Sequence, residues 1–279
     1  MRLKIFYNRS VHDNAANYYE QAKESREKIS GLEKAIAETE KEMAEAKKGE
    51  KKNVRVKRQK EWYEKFHSAF TSGGRLIIGG RNAQQNDMIF AKHMDDADLF
   101  FHADIQGASA VVLKGGAELL ETNAKAGGKE VLESGANAGG KGARAGESEL
   151  LEAAQFSASF SKAWINGNAS VDVYAVKKGQ LSKHAAGGYI PTGAFAISGE
   201  RKWFRDTKLA LRIGLGENGI AIVPELSTAN LKNALVIVPS KNGKEKGELA
   251  KSLAKRYNVH PDELLERLPN GRSKTLEKP

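Results

Sequence analysis

The residues best suited to chemistry lie in the stretch "IGGRNAQQND", residues 78–87, between an apolar run and an amphipathic one. Two glycines before a helix start present backbone N–H groups with a partial positive charge, which suits a phosphate oxygen. Arg81 adds a two-pronged hydrogen-bond donor. Four side-chain amides that can contact sugar or base edges follow it: Asn82, Gln84, Gln85 and Asn86. The loop could bind a nucleotide's phosphates or an RNA backbone. The alternative is a glycine turn in which Arg81 pairs with an internal carboxylate.

The sequence around this loop argues against an enzyme. Neither GxxxxGK[ST] nor GxGxxG is present, so the common nucleotide-phosphate patterns are not met. The stretch "HMDDADLFFHAD" gathers His and Asp residues, but their spacing fits neither HExxH nor a calcium loop. Alternation along "DLFFHAD" points Phe101 and His102 to opposite sides of a strand, which leaves His102 as a candidate polar contact. No GxSxG pattern surrounds Ser109 or Ser161. We therefore expect no catalytic residue, no metal and no cofactor.

Composition favours an anionic partner. The 279 residues carry 45 Lys and Arg against 35 Asp and Glu, a formal charge of +10. Such a balance indicates nucleic acid before membrane. The absence of cysteine excludes a disulfide scaffold and thiolate metal sites. No run approaches the ~18 apolar residues of a membrane span, and the sequence predicts a cytoplasmic protein without membrane contact.

The first part of the chain has the pattern of a coiled coil. Apolar residues recur at heptad spacing for about five heptads through "SVHDNAANYYEQAKESREKISGLEKAIAETEKEMAEAKK". The spacing resumes in "EWYEKFHSAF", and we predict an antiparallel helical hairpin over residues 1–70. The alternative is one long solvated helix. The first helix is longer than the return segment, which cannot cover all four of its apolar residues. Ile29, Leu32, Ile36 and Met43 should therefore form an exposed interface. The tip of the hairpin should carry eight cations that contact phosphate: Lys47, Lys48, Lys51, Lys52, Arg55, Lys57, Arg58 and Lys60.

The remainder predicts an α+β body with a mixed, largely antiparallel sheet and flanking helices. Short apolar runs such as "RLIIGG", "DLFFHAD", "VDVYAV" and "GIAIVP" are separated by turn residues, and helical patterns such as "KGELAKSLAKRY" lie among them. We place this body at 71–270 and a polar tail at 271–279. Residues 115–149 contain 16 Gly or Ala in 35 positions and predict a flexible insertion.

Five ordered blocks resemble a known family. They read "EWYEKFHSAF…GRLIIGGRNAQQND", "DLFFHADIQGAS", "EAAQFSASFSKAW", "SVDVYAV…QLSK" and "GAFAISGERKWF". They are similar to the NFACT-R domain of the NFACT family of ribosome-associated quality-control factors, and the opening helix resembles the coiled coil before that domain. Members bind large ribosomal subunits that carry stalled peptidyl-tRNA, while the ribosome itself performs peptidyl transfer.

The resemblance implies an RNA-binding, non-enzymatic adaptor whose partner is large-subunit RNA and/or tRNA. On this resemblance we expect a protein without the family's usual N-terminal domains, and the insertion at 115–149 is longer than the family pattern leads us to expect. A separate protein with the N-terminal half, or self-association through the coiled coil, is therefore an expected partner of the arm. The alternative function is an interaction module with incidental RNA affinity.

Overall fold

The computed structural model describes residues 4–49, 61–120, 145–184 and 190–277. It divides the chain into two compact units, Met1–Gln59 and Lys60–Pro279, which we call the arm and the body. This division lies about ten residues before the predicted end of the arm at residue 70. Among the described residues, no helix combines the length and the apolar character that crossing a membrane requires.

The arm contains one long helix, α1 (Val11–Gly49), which spans ~58 Å at the usual helical rise. Ser10 caps its start, because the Ser10 hydroxyl accepts a hydrogen bond from the backbone N–H of Asp13 at 3.1 Å. The preceding segment is fastened to the first turns by Asn14, whose Oδ1 accepts from the Phe6 N–H at 2.9 Å. The helix is as predicted.

The predicted return helix is wrong over residues 61–70. Trp62–Lys65 form a short 3₁₀-helix, and β1 (His67–Phe70) pairs antiparallel with β2 (Leu76–Gly79). Backbone pairing across a tight turn prevails over the helical spacing of Tyr63, Phe66 and Phe70. The rest of that segment, residues 50–60, lies outside the described residues, together with most of the predicted basic tip.

The body is α+β, as predicted, and every strand pair described is antiparallel. One sheet has six strands in the order β1-β2-β4-β3-β5-β8. Its further strands are β3 (Leu99–Ala103), β4 (Val111–Leu113), β5 (Ser170–Lys177) and β8 (Lys202–Lys208). A short ladder of β6 (Leu181–Ser182) and β7 (Ala196–Ile197) follows β5.

A second sheet has four strands in the order β10-β9-β11-β12. They are β9 (Leu211–Gly216), β10 (Gly219–Pro224), β11 (Lys232–Lys244) and β12 (Ser273–Glu277). The last strand corrects the predicted polar tail at 271–279, because Ser273–Glu277 pair with β11 through the backbone. Backbone pairing needs no apolar side chain, so a polar segment can complete a sheet edge.

Six helices accompany the strands in the described parts of the chain, α1 included. Those of the body are α2 (Ala83–Met88), which continues as a π-helix (Ile89–His93), α3 (Ala145–Ser159), α4 (Lys162–Asn166), α5 (Lys246–Tyr257) and α6 (Pro261–Arg267). In addition, residues 117–120 form a helical turn, so both ends of the predicted insertion at 115–149 are helical. Residues 121–144 lie outside the described residues.

Both faces of the six-stranded sheet contribute to a core. On one face, Phe101 and Val111 pack with Phe156 of α3 in the main core. On the other, Phe100 and Val112 pack with Ile89 of the π-helix in a smaller core. The second face carries the candidate site.

Candidate nucleic-acid interface

The glycine loop lies between β2 and the start of α2, where the sequence predicts a helix start. Asn82 caps α2, with its Oδ1 accepting from the Gln85 N–H at 2.9 Å. The Oδ1 of Asn86 accepts from the Ala110 N–H at 3.1 Å, and a side chain at Gly80 would overlap that same oxygen. The loop is therefore fixed against the segment before β4 and has room only for glycine at position 80.

Arg81 is held by the body's own main chain. Its Nη2 donates to the carbonyl oxygens of Glu64 and Phe66, both at 3.2 Å. Burial is the main reason that the pKa of Arg81 lies below its ordinary value. The predicted structural alternative had a carboxylate as the partner. Two carbonyl groups bind Arg81, and the carboxylate of Glu266 also acts on it by raising its pKa. Arg81 thus ties the glycine loop to the 3₁₀-helix and to the residue between that helix and β1.

The two glutamines of the loop differ in position from the other predicted site residues of the body. Gln85 accepts from the Arg81 N–H at 3.0 Å and donates to the Lys65 carbonyl at 3.2 Å, so it braces the loop. Gln84 is exposed on α2. Neither lines the cavity described next, whereas the other four residues predicted in the body do: Arg81, Asn82, Asn86 and His102.

A cavity of about 400 Å³ opens on the second face of the six-stranded sheet. Four parts of the body line it: the glycine loop, the sheet itself, the turn at 107–109 and the segment 192–197. Its apolar walls include Phe100 and Phe195, whose ring centroids lie 5.6 Å apart. Cavities of this size with aromatic walls and a few polar groups are typical small-ligand sites.

His102 lies on the cavity side of β3, while Phe101 faces the main core, as the alternation predicts. Its Nδ1 is 3.3 Å from the hydroxyl oxygen of Tyr174, the residue paired with it on β5. The pKa of His102 is lowered from its ordinary value, and burial of the imidazole is the largest cause. The imidazole is therefore neutral at pH 7 and offers a hydrogen-bonding edge without a charge.

An aromatic row continues from His102 across the sheet, and the sequence reasoning missed it. Tyr174 on β5 pairs with Trp203 on β8, and their rings meet edge to face at 5.3 Å. Two guanidinium groups lie over these rings: Arg201 is 4.7 Å from the Tyr174 centroid and Arg205 is 4.2 Å from that of Trp203. We call His102, Tyr174, Trp203, Arg201 and Arg205 the aromatic row. Aromatic rings beside arginines are suited to stack bases and bind phosphates.

Two aspartates of the His and Asp cluster pair with a lysine. Asp95 and Asp98, part of the His and Asp cluster, bind the ammonium of Lys114 at 2.8 and 2.5 Å. Within the described residues, no three His, Cys, Asp or Glu side chains come together as possible metal ligands. The predicted RNA contacts Lys51, Lys52, Arg55, Lys57, Arg58 and Lys60 lie outside the described residues.

The stability of the body should fall in mild acid because of His67. Burial, reinforced by the positive charges of Arg81 and Lys246, holds the pKa of His67 well below its ordinary value. Below about pH 6.5 the unfolded chain binds a proton at this residue and the folded chain does not. The free energy of unfolding should therefore decrease by about 1.4 kcal/mol per pH unit for this residue, until the lowered pKa is reached.

Urea unfolding of the wild type and His67→Phe across this pH range measures the effect. Phenylalanine keeps a ring that can stack on Phe160, whose centroid lies 4.1 Å from that of His67. In the variant, the slope of the unfolding free energy against pH should be smaller by the contribution of one proton. His93 and His102, whose pKa values are also lowered, should still contribute to the slope. Equal slopes in the two proteins would contradict the assignment.

The comparison with known families agrees with this geometry. Residues 65–199 match the family model described as "NFACT protein RNA binding domain". Every residue that lines the cavity lies within that match. The chain belongs to the NFACT family. The arm precedes the matched NFACT domain, and the four-stranded sheet follows it.

Relatives extend the similarity beyond the matched domain. The "Archaeal Rqc2 homolog aRqcH" of Methanocaldococcus jannaschii is 34% identical over 231 residues, which are 80% of this NFACT chain and 31% of that protein. The "Ribosome quality control complex subunit NEMF homolog" of Drosophila melanogaster is 29% identical over 213 residues, 74% of this chain and 19% of that protein. The chain thus spans less than a third of either relative's length.

A solved structure is also similar. It is the C-terminal of the fibronectin/fibrinogen-binding protein from Streptococcus suis, at 22% identity and a TM-score of 0.34, with 72% of this chain and 77% of that chain covered.

Proposed function

We propose that this chain is an RNA-binding component of ribosome-associated quality control that binds large-subunit RNA and/or tRNA on stalled nascent-chain complexes. The observation that carries the proposal is the site itself: an NFACT RNA-binding domain holds a cavity beside an aromatic row with two arginines. The relatives' names, which refer to ribosome quality control, supply the process. The chain acts as an adaptor, and the ribosome performs the peptidyl transfer.

Two surfaces of the chain contribute RNA contacts in this proposal. The body offers Asn82, His102 and the arginines of the aromatic row, which can contact base edges and phosphates. Gln84, exposed on α2, is a further candidate. Arg81, Gln85 and Asn86 act mainly by holding the glycine loop, since their side chains bond to the main chain of the body. The basic segment 47–60 supplies sequence-independent phosphate contacts.

Co-sedimentation of the full chain with purified large ribosomal subunits, and binding of the chain to total tRNA, test the proposal directly. Retention on either at physiological salt supports it. A chain that binds neither, while the body is folded, would remove its basis.

The basic segment should give RNA binding a strong dependence on salt. Replacement of Lys57, Arg58 and Lys60 by glutamine should weaken binding similarly for unrelated RNA sequences. The slope of log affinity against log salt should become shallower by about 2, because each lost phosphate contact removes about 0.7 to 0.9. The matched control replaces three exposed lysines of the body: Lys251, Lys255 and Lys274. An unchanged slope in the first variant, or an equal change in both, would place the RNA elsewhere.

A second candidate function rests on the arm. Ile29, Leu32 and Ile36 of α1 are 54%, 63% and 57% exposed, and a stripe of aliphatic side chains on a charged helix favours an interaction surface. Its occupant would be a second copy of the chain or a protein with the family's N-terminal half. In that case RNA affinity is incidental. The salt titration would then show weak binding, and substitutions of the body's candidate RNA contacts would not change it.

A further inference from the structure

The cavity has the dimensions and lining of a site for a single planar group. Its volume of about 400 Å³ lies at the lower end of the range for small-ligand pockets. Phe100 and Phe195 form aromatic walls, and Asn82, Ser109 and Thr192 supply polar groups. None of the described residues that line it is acidic. A flat, partly polar, electron-rich ligand fits this combination better than a peptide or a metal ion.

Three cations surround the opening, each packed against a different part of the lining. Arg201 lies over the ring of Tyr174 at 4.7 Å, and the ammonium of Lys183 lies over the ring of Phe195 at 4.1 Å. The side chain of Lys162 crosses Gly107 so closely that a Cβ there would come within 2.6 Å of its Cε. Lys183 also pairs with Asp87, so it is partly neutralised, whereas Arg201 is exposed. Arg81 also lines the cavity, but carbonyl groups of the body hold its guanidinium, and the other cations lie around the opening.

Close packing of the backbone keeps the opening in place. Gly107 and Gly193 have positive φ angles of 78° and 81°, which glycine adopts without strain. A Cβ at Gly193 would come within 2.7 Å of Ala83 Cα. The Gly193 N–H donates to Asp87 at 3.0 Å, which fastens the segment 192–197 to α2. The cavity is therefore formed before any ligand binds.

We propose that the cavity binds one unstacked nucleobase of a single-stranded RNA segment, while the surrounding cations bind the phosphates on either side. This inference rests on the proposed RNA-binding function. In a double helix the bases are stacked and their edges lie in grooves, so only an unpaired base can enter. Neutral aromatic walls suit the base, and cations at the opening suit the charged backbone that remains outside.

The test compares three ligands of equal length: a short single-stranded RNA, the same strand annealed to its complement, and the same strand with its central bases removed. The full chain should bind the intact single strand about 10-fold or more tightly than the other two, in keeping with the stacking of one base on aromatic side chains. No variant is needed for this comparison, so a failure to fold cannot obscure it.

Phe195→Ala locates the effect. It should reduce binding of the intact strand by a similar factor and leave binding of the strand without bases unchanged. Phe70→Ala is the matched control, because Phe70 is a partly exposed phenylalanine of the same body that does not line the cavity. Equal affinities for the three ligands, or equal effects of the two substitutions, would overturn the nucleobase site and leave the proposed function standing. Absence of binding to any RNA would overturn both.

Discussion

Replacement of Arg81 by glutamine should lower the free energy of unfolding of the body by about 2 to 3 kcal/mol and leave the RNA affinity of the folded protein close to that of the wild type. The reason is geometric. The Nη2 group donates to the carbonyls of Glu64 and Phe66, and the shorter amide cannot reach both. Phe66 is fully buried, so its carbonyl loses a partner in a place where water does not easily replace it.

Arg201→Gln is the matched control for this prediction. Arg201 is exposed before β8 and contacts only the face of Tyr174 among the contacts described. The Arg201→Gln variant should show the reverse result, with an unchanged free energy of unfolding and weaker RNA binding. Urea unfolding and RNA binding measured on both variants decide the matter. Reduced affinity of Arg81→Gln with unchanged stability would make Arg81 a direct RNA ligand and would contradict the structural role.

Replacement of Trp203 by alanine should weaken RNA binding by about 5- to 150-fold, the range that corresponds to loss of one aromatic stacking surface. Trp203 is partly exposed at the edge strand β8, where Arg205 covers one part of its ring and Tyr174 meets its edge. A base can stack on the exposed part of the indole once the Arg205 guanidinium leaves the ring face. The affinity is measured on the folded fraction, since Trp203 also packs against the smaller core.

Trp62→Ala is the control for loss of a tryptophan. Trp62 is 45% exposed and stacks on His93 at 4.7 Å, outside the cavity and the aromatic row. It should change RNA affinity much less than Trp203→Ala does. If the two variants bind RNA equally well, the aromatic row is not part of the interface.

Local patterns were enough to predict the glycine loop and most of the strands. "RLIIGG" reads as a short buried strand, and an asparagine before a helical pattern reads as a cap, because both signals depend on neighbouring residues only. The structure places these elements at β2 and at the start of α2. The opposite directions of Phe101 and His102 followed in the same way from the two-residue period of a strand.

The segment 61–70 shows where local patterns fail. Its aromatic residues recur at helical spacing, but the turn "TSGG" that follows brings the segment back as a hairpin. The Thr71 N–H donates to the Arg75 carbonyl at 2.9 Å, and Gly74 has a φ of 83°. The glycine pair was the available signal for this turn. Strand pairing then determines the structure of His67–Phe70, whatever its helical spacing suggests.

The aromatic row was beyond the reach of the sequence for a different reason. Trp203 and Arg205 on β8 and Arg201 just before it alternate along the chain, which indicates that they share one face. Their position beside Tyr174 and His102, however, depends on the antiparallel register of β3, β5 and β8. The spacing of residues in the sequence does not predict that register, so the aromatic row could be identified only in the folded sheet.

Ultraviolet cross-linking of the folded full chain to bound single-stranded RNA, with the cross-linked peptides identified by mass spectrometry, shows which face of the body binds RNA. Nucleic-acid bases cross-link to the aromatic side chains on which they lie. We expect nucleotides attached to the peptides that contain Tyr174, Phe195 and Trp203, and loss of the last of these in Trp203→Ala. Cross-links confined to other parts of the body, with none to these three residues, would contradict the claim that this face of the sheet binds RNA.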